Sequence, residues 1–386
     1  MSFIITLLAA VFVFSAVIAI HEFGHFAVAK LCGVQVNEFS IGMGPVLLKK
    51  MHHGTQYSLR ALPVGGFVAL EGEESPESQQ AEGEERSDLE ERPLSQRSGA
   101  DSSPNGGTLK EEELSQPTGK PLNEAPVWQR ALIMAAGACM NFLLGFVVMA
   151  ILLAAQNGPI TSRVIYAVED GALCGQTGLE AGDKVLAVNG RRCFVANDML
   201  YELMRTEDYS ASFTVLRDGK KVELPRVQFD TWQDEDGETH MSLGFTVYGI
   251  KKTPVNVIKE AWNSVLYYGR IIFTSLMDLL RGRESINDLS GPVGIVTAIG
   301  QAASYGWQDL LELLALITVN VGIFNLLPFP ALDGGKVVFL LIEGVTGHAV
   351  PEKIQSGLTL AAFALLFALM IFATYNDIVR LVTGAI

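Results

Sequence analysis

A chain of 386 residues is long enough for two or three soluble domains, but its composition excludes an ordinary soluble protein: hydrophobic residues make up 49%, charged residues only 18%, and several long uncharged runs stand out. The formal net charge is -14, and most of it lies between Glu71 and Ala125, where fifteen acidic residues face five basic ones; no nucleic-acid partner is expected. Cys32, Cys139, Cys174 and Cys193 show no Cys-x-x-Cys spacing, which argues against a cysteine zinc site.

The first run, Phe3 to Ile20, carries no charge and is long enough to span a bilayer, so a first transmembrane helix is expected within residues 1–33. It lacks a basic leading region, which argues against a cleaved signal peptide. At its end stands His21-Glu22-Phe23-Gly24-His25. His21 and His25 are four apart, so a helix puts them on one face, one turn from each other. Two imidazoles so placed can ligate one zinc ion, and Glu22 beside them can serve as a general base toward water. Ionisable groups at membrane depth are costly, so such a cluster reads as functional.

Residues 34–70 change to short alternating stretches broken by glycine, including Gly42-Met43-Gly44-Pro45 and Leu62-Pro63-Val64-Gly65-Gly66. These predict short strands joined by turns, a small membrane-associated sheet or hairpin whose edge could pair with an extended substrate. His52 and His53 read as solvated loop residues. Residues 71–125 are rich in Glu, Ser, Gln, Pro and Gly and predict a disordered acidic insert.

A second span is expected within 126–157. Its Gly137-Ala138-Cys139 run favours close helix packing, and Asn141 is a lone polar group that needs a partner or faces the site. Residues 158–250 predict a soluble domain. Strands are expected at Val164–Val168, Ala211–Leu216, Lys221–Val227 and Ser242–Val247, a short helix over 198–205, and tight turns at Asn189-Gly190 and Asp218-Gly219. Gly178-Leu179, Ala181-Gly182-Asp183, Val188-Asn189-Gly190 and the strand order resemble a PDZ domain. That resemblance implies binding of peptide termini by strand addition. Ser242-Leu243-Gly244-Phe245 then stands as the carboxylate-holding loop, as in circularly permuted bacterial forms.

Residues 251–305 predict an interfacial helix, interrupted by Lys259, Glu260 and Asp278, and then a break at Ser290-Gly291-Pro292-Val293-Gly294. A third span is expected within 306–345. Its Asn325-Leu326-Leu327-Pro328-Phe329-Pro330-Ala331-Leu332-Asp333-Gly334-Gly335 predicts an unwound stretch at membrane depth, tolerated only where protein or a cavity surrounds it. A fourth span is expected within 355–380. The fold class is therefore a polytopic α-helical membrane protein with about four transmembrane helices, a small membrane-associated β element and one inserted β-rich α+β domain.

Lys30, Lys49, Lys50 and Arg60 place the first loop in the cytoplasm by the positive-inside rule. The N-terminus, the soluble domain and the C-terminus then lie outside, and the acidic insert lies inside. Spans one and three run in the same direction, which brings His21, His25 and Asp333 to similar depth. Two histidines and one carboxylate make a catalytic zinc set with an open fourth position.

His21 through His25 together with Asn325 through Gly335 resemble the intramembrane metalloproteases of the site-2 protease family, most of all the bacterial regulator-of-sigma-E protease group in a form with one PDZ domain. The resemblance implies His21, His25 and Asp333 as ligands of one zinc ion and Glu22 as the general base. Asn325 would help hold the substrate backbone or oxyanion, and Asn141 matches a second-span motif in which Ala138 stands where proline is usual. It further implies regulated intramembrane proteolysis of single-span proteins already trimmed outside, anti-sigma factors or remnant signal peptides, in a bacterial inner or plasma membrane. A divalent-metal transporter, against which the lack of an internal repeat argues, and a membrane-anchored PDZ adaptor are the alternatives.

Overall fold

The computed structural model describes residues 3–73, 119–206, 208–234, 237–283, 285 and 289–383. Most of the expected acidic insert, residues 74–118, lies outside the described residues. In chain order the elements are α1 (Phe3–Leu31), β1 (Val36–His52), β2 (Thr55–Leu70), α2 (Val127–Ala155), β3 (Ile160–Val168), α3 (Leu173–Gln176), β4 (Lys184–Val188), β5 (Arg191–Arg192) and α4 (Ala196–Met204). There follow β6 (Ser210–Arg217), β7 (Lys220–Gln228), β8 (Asp230–Gln233), β9 (Thr239–Ser242), β10 (Phe245–Ile250), α5 (Pro254–Leu280), α6 (Pro292–Tyr305), α7 (Trp307–Leu326), α8 (Asp333–Thr346) and α9 (Glu352–Thr383).

Four of these helices, α1, α2, α7 and α9, are long and apolar enough to cross a membrane, in agreement with the four expected spans. The chain divides into two compact units, one of residues 11–140 and 325–364, the other of residues 1–10, 141–324 and 365–386.

In the first unit, β1 and β2 replace the several short strands expected over 34–70 with two long irregular ones. His53 (φ 48°) and Gly54 (φ 70°) close the turn between them; two successive positive φ values match the twist of a hairpin. The register then doubles back. Phe39 partners both Tyr57 and Val68, and Ser40 partners both Ser58 and Phe67. Residues 38–41 are thus flanked on both sides, and residues 66–70 form an outer run. The expected insert boundary is shorter than 125 at its far side: Val34 bridges Lys120, and Leu122–Glu124 form a 3-10 turn. Ala29, Val34, Val36, Leu70, Leu122, Ile133 and Met134 make the apolar core under this assembly.

In the second unit, a sheet of order β10-β3-β4-β6-β7 packs around Ile165, Leu179, Val185, Met199, Leu203, Phe213 and Phe229. Asn189-Gly190 and Asp218-Gly219 take positive φ at both residues, as two-residue turns require. The strand expected over Ser242–Val247 is two: Gly244, at φ +61°, separates β9 from β10. Cys174 and Cys193 are both buried and both free.

Of the charges that interrupt α5, Lys259 is exposed and Asp278 is buried against protein. Arg270 pairs with Asp198 and Glu202 on α4, and buried Asp278 pairs with Arg205 and Arg283. Ser290 to Gly294 is a break followed at once by helix: Pro292 opens α6, and Asp377 on α9 accepts the amides of Gly291 (3.1 Å) and Gly294 (2.8 Å).

Candidate metal centre

The site lies within one unit and takes one element from each of three parts of the chain. α1 is an uninterrupted apolar helix, so His21 and His25 project from one face a turn apart. α8 begins at Asp333, immediately after the irregular Leu327–Leu332 stretch. That start is tight: a Cβ on Gly334 would lie 2.2 Å from the Leu327 carbonyl oxygen, and one on Gly335 would lie 2.3 Å from the Phe329 oxygen. The two glycines let the loop fold against the first turn of α8, and so aim the Asp333 carboxylate back at α1.

The three donors converge. His21 Nε2 lies 3.1 Å from Asp333 Oδ2 and His25 Nε2 lies 3.3 Å from it, while the two imidazole nitrogens are 3.2 Å apart. His25 Nδ1 lies 2.8 Å from the Ile133 carbonyl oxygen on α2. A carbonyl only accepts, so Nδ1 carries the proton of the neutral ring and Nε2 turns a lone pair toward the other donors. Lone pairs gathered at this spacing repel one another unless a cation lies among them. Zinc bonds of about 2.0–2.1 Å to nitrogen and oxygen give a tetrahedral edge of about 3.3–3.4 Å, close to all three separations. The donor set fits a zinc ion.

Gly137 makes room for the two imidazoles. A Cβ there would stand 2.3 Å from His25 Nε2 and 2.7 Å from His21 Cε1. Ile133 and Gly137 are one turn apart on α2, so a single turn supplies the carbonyl and the space.

Glu22, His21, His25 and Asp333 line one cavity of about 760 Å³, along with Phe67 and Ala69 of the outer run. Under it, Arg60 donates to Glu38 (2.8 Å), Ser40 Oγ (2.9 Å) and the Gly44 carbonyl (3.1 Å). Lys336, one turn beyond Asp333, also reaches the cavity and pairs with Glu73 at 2.7 Å. The two asparagines are elsewhere. Asn325 is half-buried near the end of α7, and buried Asn141 has its carbonyl bonded by Thr318 Oγ1 at 3.2 Å; neither is among the described residues of the cavity wall.

Sequence reasoning missed Gly137, the Ile133 carbonyl and the Glu73–Lys336 pair. Lys336 carried a signal, since the third residue after Asp333 on a helix shares its face. Gly137 stood in a small-residue run, but that pattern names a close neighbour without identifying it. A second group of donors, Asp234, Glu238 and His240, sits on the β8–β9 hairpin, where His240 Nε2 lies within hydrogen-bond distance of Asp234 Oδ2, at 2.7 Å.

The model of peptidase family M50 matches residues 9–369 of the chain. A regulator of sigma-W protease, RasP, of Bacillus subtilis is 28% identical, covering 98% of this chain and 99% of its own. The zinc metalloproteases RasP of Shouchella clausii and Geobacillus kaustophilus are each 30% identical over 97% of this chain, covering 99% and 97% of theirs.

Proposed function

The chain belongs to peptidase family M50 and is a zinc metalloprotease of membranes, and from that premise we propose that it cleaves single-span membrane proteins within the bilayer, at the centre formed by His21, His25, Asp333 and Glu22. The observation that carries this reading is the convergence of three zinc-type donors beside Glu22 in one cavity, on helices apolar enough to span a membrane.

His21, His25 and Asp333 are assigned as the ligands. Zinc, when bound, supplies Lewis acidity toward water and toward the scissile carbonyl. The Glu22 carboxylate takes a proton from the attacking water as its oxygen adds to the peptide carbon, and passes it to the leaving amine as the carbon–nitrogen bond breaks. Ile133 holds His25 in the tautomer that leaves Nε2 free to ligate. A helical peptide bond is shielded by its neighbours, so the substrate unwinds first. The outer run 66–70, which lines the cavity wall, is assigned the role of holding it extended by strand addition. Asn325 and Asn141 are assigned no step.

The domain over 158–250 is read as a PDZ module. Its peptide edge is β10, an end strand of the sheet preceded by left-handed Gly244. Its role is to admit or recognise a trimmed terminus. The Bacillus subtilis relative is named as a regulator of sigma-W protease, which supports anti-sigma factors as the substrate class here. The topology proposed puts the first loop inside and the PDZ module outside.

The deciding measurement is cleavage of a single-span substrate, truncated outside the membrane, by the purified protein and by Glu22→Gln, with zinc content measured on both. Cleavage by the first alone, with zinc retained by both, is expected. Equal cleavage by both removes Glu22 as the base, and zinc without cleavage by either points to transport.

A further inference from the structure

The outer run 66–70 passes close to Glu22 at its start, and the segment beyond its far end is tied to the helix that bears Asp333. At its start, a Cβ on Gly66 would come within 3.4 Å of Glu22 Cγ. Beyond its end, Glu71 N–H bonds the Gln35 carbonyl at 3.1 Å, and the Glu71 carbonyl accepts from Leu122 at 2.6 Å. Glu73 then contacts Lys336 at 2.7 Å. Lys336 lies on the first turn of α8, three residues after Asp333.

This pair differs from the other cation at the cavity. Arg60 is tied to three groups of the sheet beneath it. Lys336 leaves its own helix and reaches across the cavity to the segment that continues the outer run. The Glu73 carboxylate is only 19% exposed, so its charge is poorly served by water and depends on that ammonium.

We propose that Glu73–Lys336 is a positioning pair for proteolysis: it pins the far end of the outer run to the helix bearing Asp333, and so sets which substrate bond meets Glu22. The proposal rests on the strand-addition reading above. A strand rises about 3.3 Å per residue and its side chains alternate, so a slip of two residues keeps the same faces while moving the reacting bond by roughly 7 Å. With both ends of the run fixed, one register is held. Without the pair the run keeps the Glu71 backbone bonds but loses its tie to the helix bearing Asp333, and the neighbouring register two residues away becomes accessible.

The test uses the full-length protein reconstituted in liposomes, a truncated single-span substrate and product masses by mass spectrometry. Glu73→Gln, Lys336→Gln and the exchanged pair E73K/K336E are compared with the unaltered protein and with Glu22→Gln, and zinc is measured throughout. The unaltered protein is expected to cut one bond. Either single change is expected to lower the rate at that bond about tenfold and to add cuts two residues away, with zinc content unchanged. The exchanged pair restores the single cut. Glu73→Gln cutting the same bond at the unaltered rate overturns the proposal. Slower cleavage at an unmoved bond, or an exchanged pair no better than the single changes, overturns it equally. No product from the unaltered protein, or equal product from Glu22→Gln, marks instead the failure of the protease reading, and the proposal falls with it.

Discussion

Replacing Gly137 by alanine sets helix stability against metal binding. Alanine is favoured over glycine in a helix interior by about 1 kcal/mol, and Gly137 has ordinary helical backbone in α2. Judged by helix propensity, Gly137→Ala strengthens α2. The new methyl carbon, however, would lie 2.3 Å from His25 Nε2, where ordinary contact begins near 3.4 Å. The ring must retreat by about 1 Å, while metal–ligand distances tolerate only about 0.2 Å. The Ile133 carbonyl holds the other side of the same ring, so the retreat also strains the bond that fixes its tautomer. Loss of an outer-shell partner alone costs about 10–100-fold in affinity, and displacement of a ligand atom costs at least the upper end. Zinc affinity is expected to fall at least about 100-fold, and activity at fixed zinc with it, while the metal-free protein melts no lower than before. Zinc titration against a competing chelator measures the first quantity, and thermal unfolding in detergent the second. Gly357→Ala is the control: it adds a methyl to α9 with nothing within 4 Å, and is expected to keep full zinc affinity. Wild-type zinc affinity and cleavage in Gly137→Ala would refute the reasoning.

Arg270→Met removes the cation paired with buried Asp198 and leaves Glu202 with Arg191 alone, at 3.6 Å, and is expected to destabilise the protein by about 3 kcal/mol; an unfolding midpoint unchanged in denaturant would count against it. Asp377→Val orphans the amides of Gly291 and Gly294, at a cost of about 2–4 kcal/mol, and is expected to speed limited proteolysis just before α6. Burial pushes the Cys193 thiol up to about 12. The group stays protonated at pH 8 and its side chain is fully buried, so maleimide leaves Cys193 unlabelled until denaturant is added. Rapid labelling of Cys193 in the folded protein would contradict its burial.

The converging donors and the base proposed beside them were legible because each is carried by a local pattern. His21 and His25 are joined by helical spacing, and Asp333 is marked by prolines and glycines inside an apolar run. What stayed hidden depends on which segments meet. The Ile133 carbonyl has no side-chain signature, since every residue carries one. The glycine at 137 is explained only by imidazoles more than a hundred residues earlier. The doubled register of residues 38–41 was hidden for a related reason. Irregular strands with glycines at 42, 44, 65 and 66 break the alternation from which strand pairing is read. The charges on α5 suggested an interfacial helix, because sequence alone cannot distinguish a carboxylate in water from one that meets an arginine, as Asp278 meets Arg205.

The hydrogen bond from His25 to Ile133 also bears on how this centre can change over generations. Its acceptor is main chain, so any residue at position 133 that keeps the helix keeps the acceptor. Substitutions at 133 are filtered only for how they fill the core beside Met134 and Val36, and the neighbouring side chains can drift without altering the imidazole's protonation. At 137 there is no such freedom, because the space occupied by His25 admits only hydrogen. One turn of α2 thus joins a position open to variation with one closed to it, and the metal centre depends on the shape of that turn more than on its side chains.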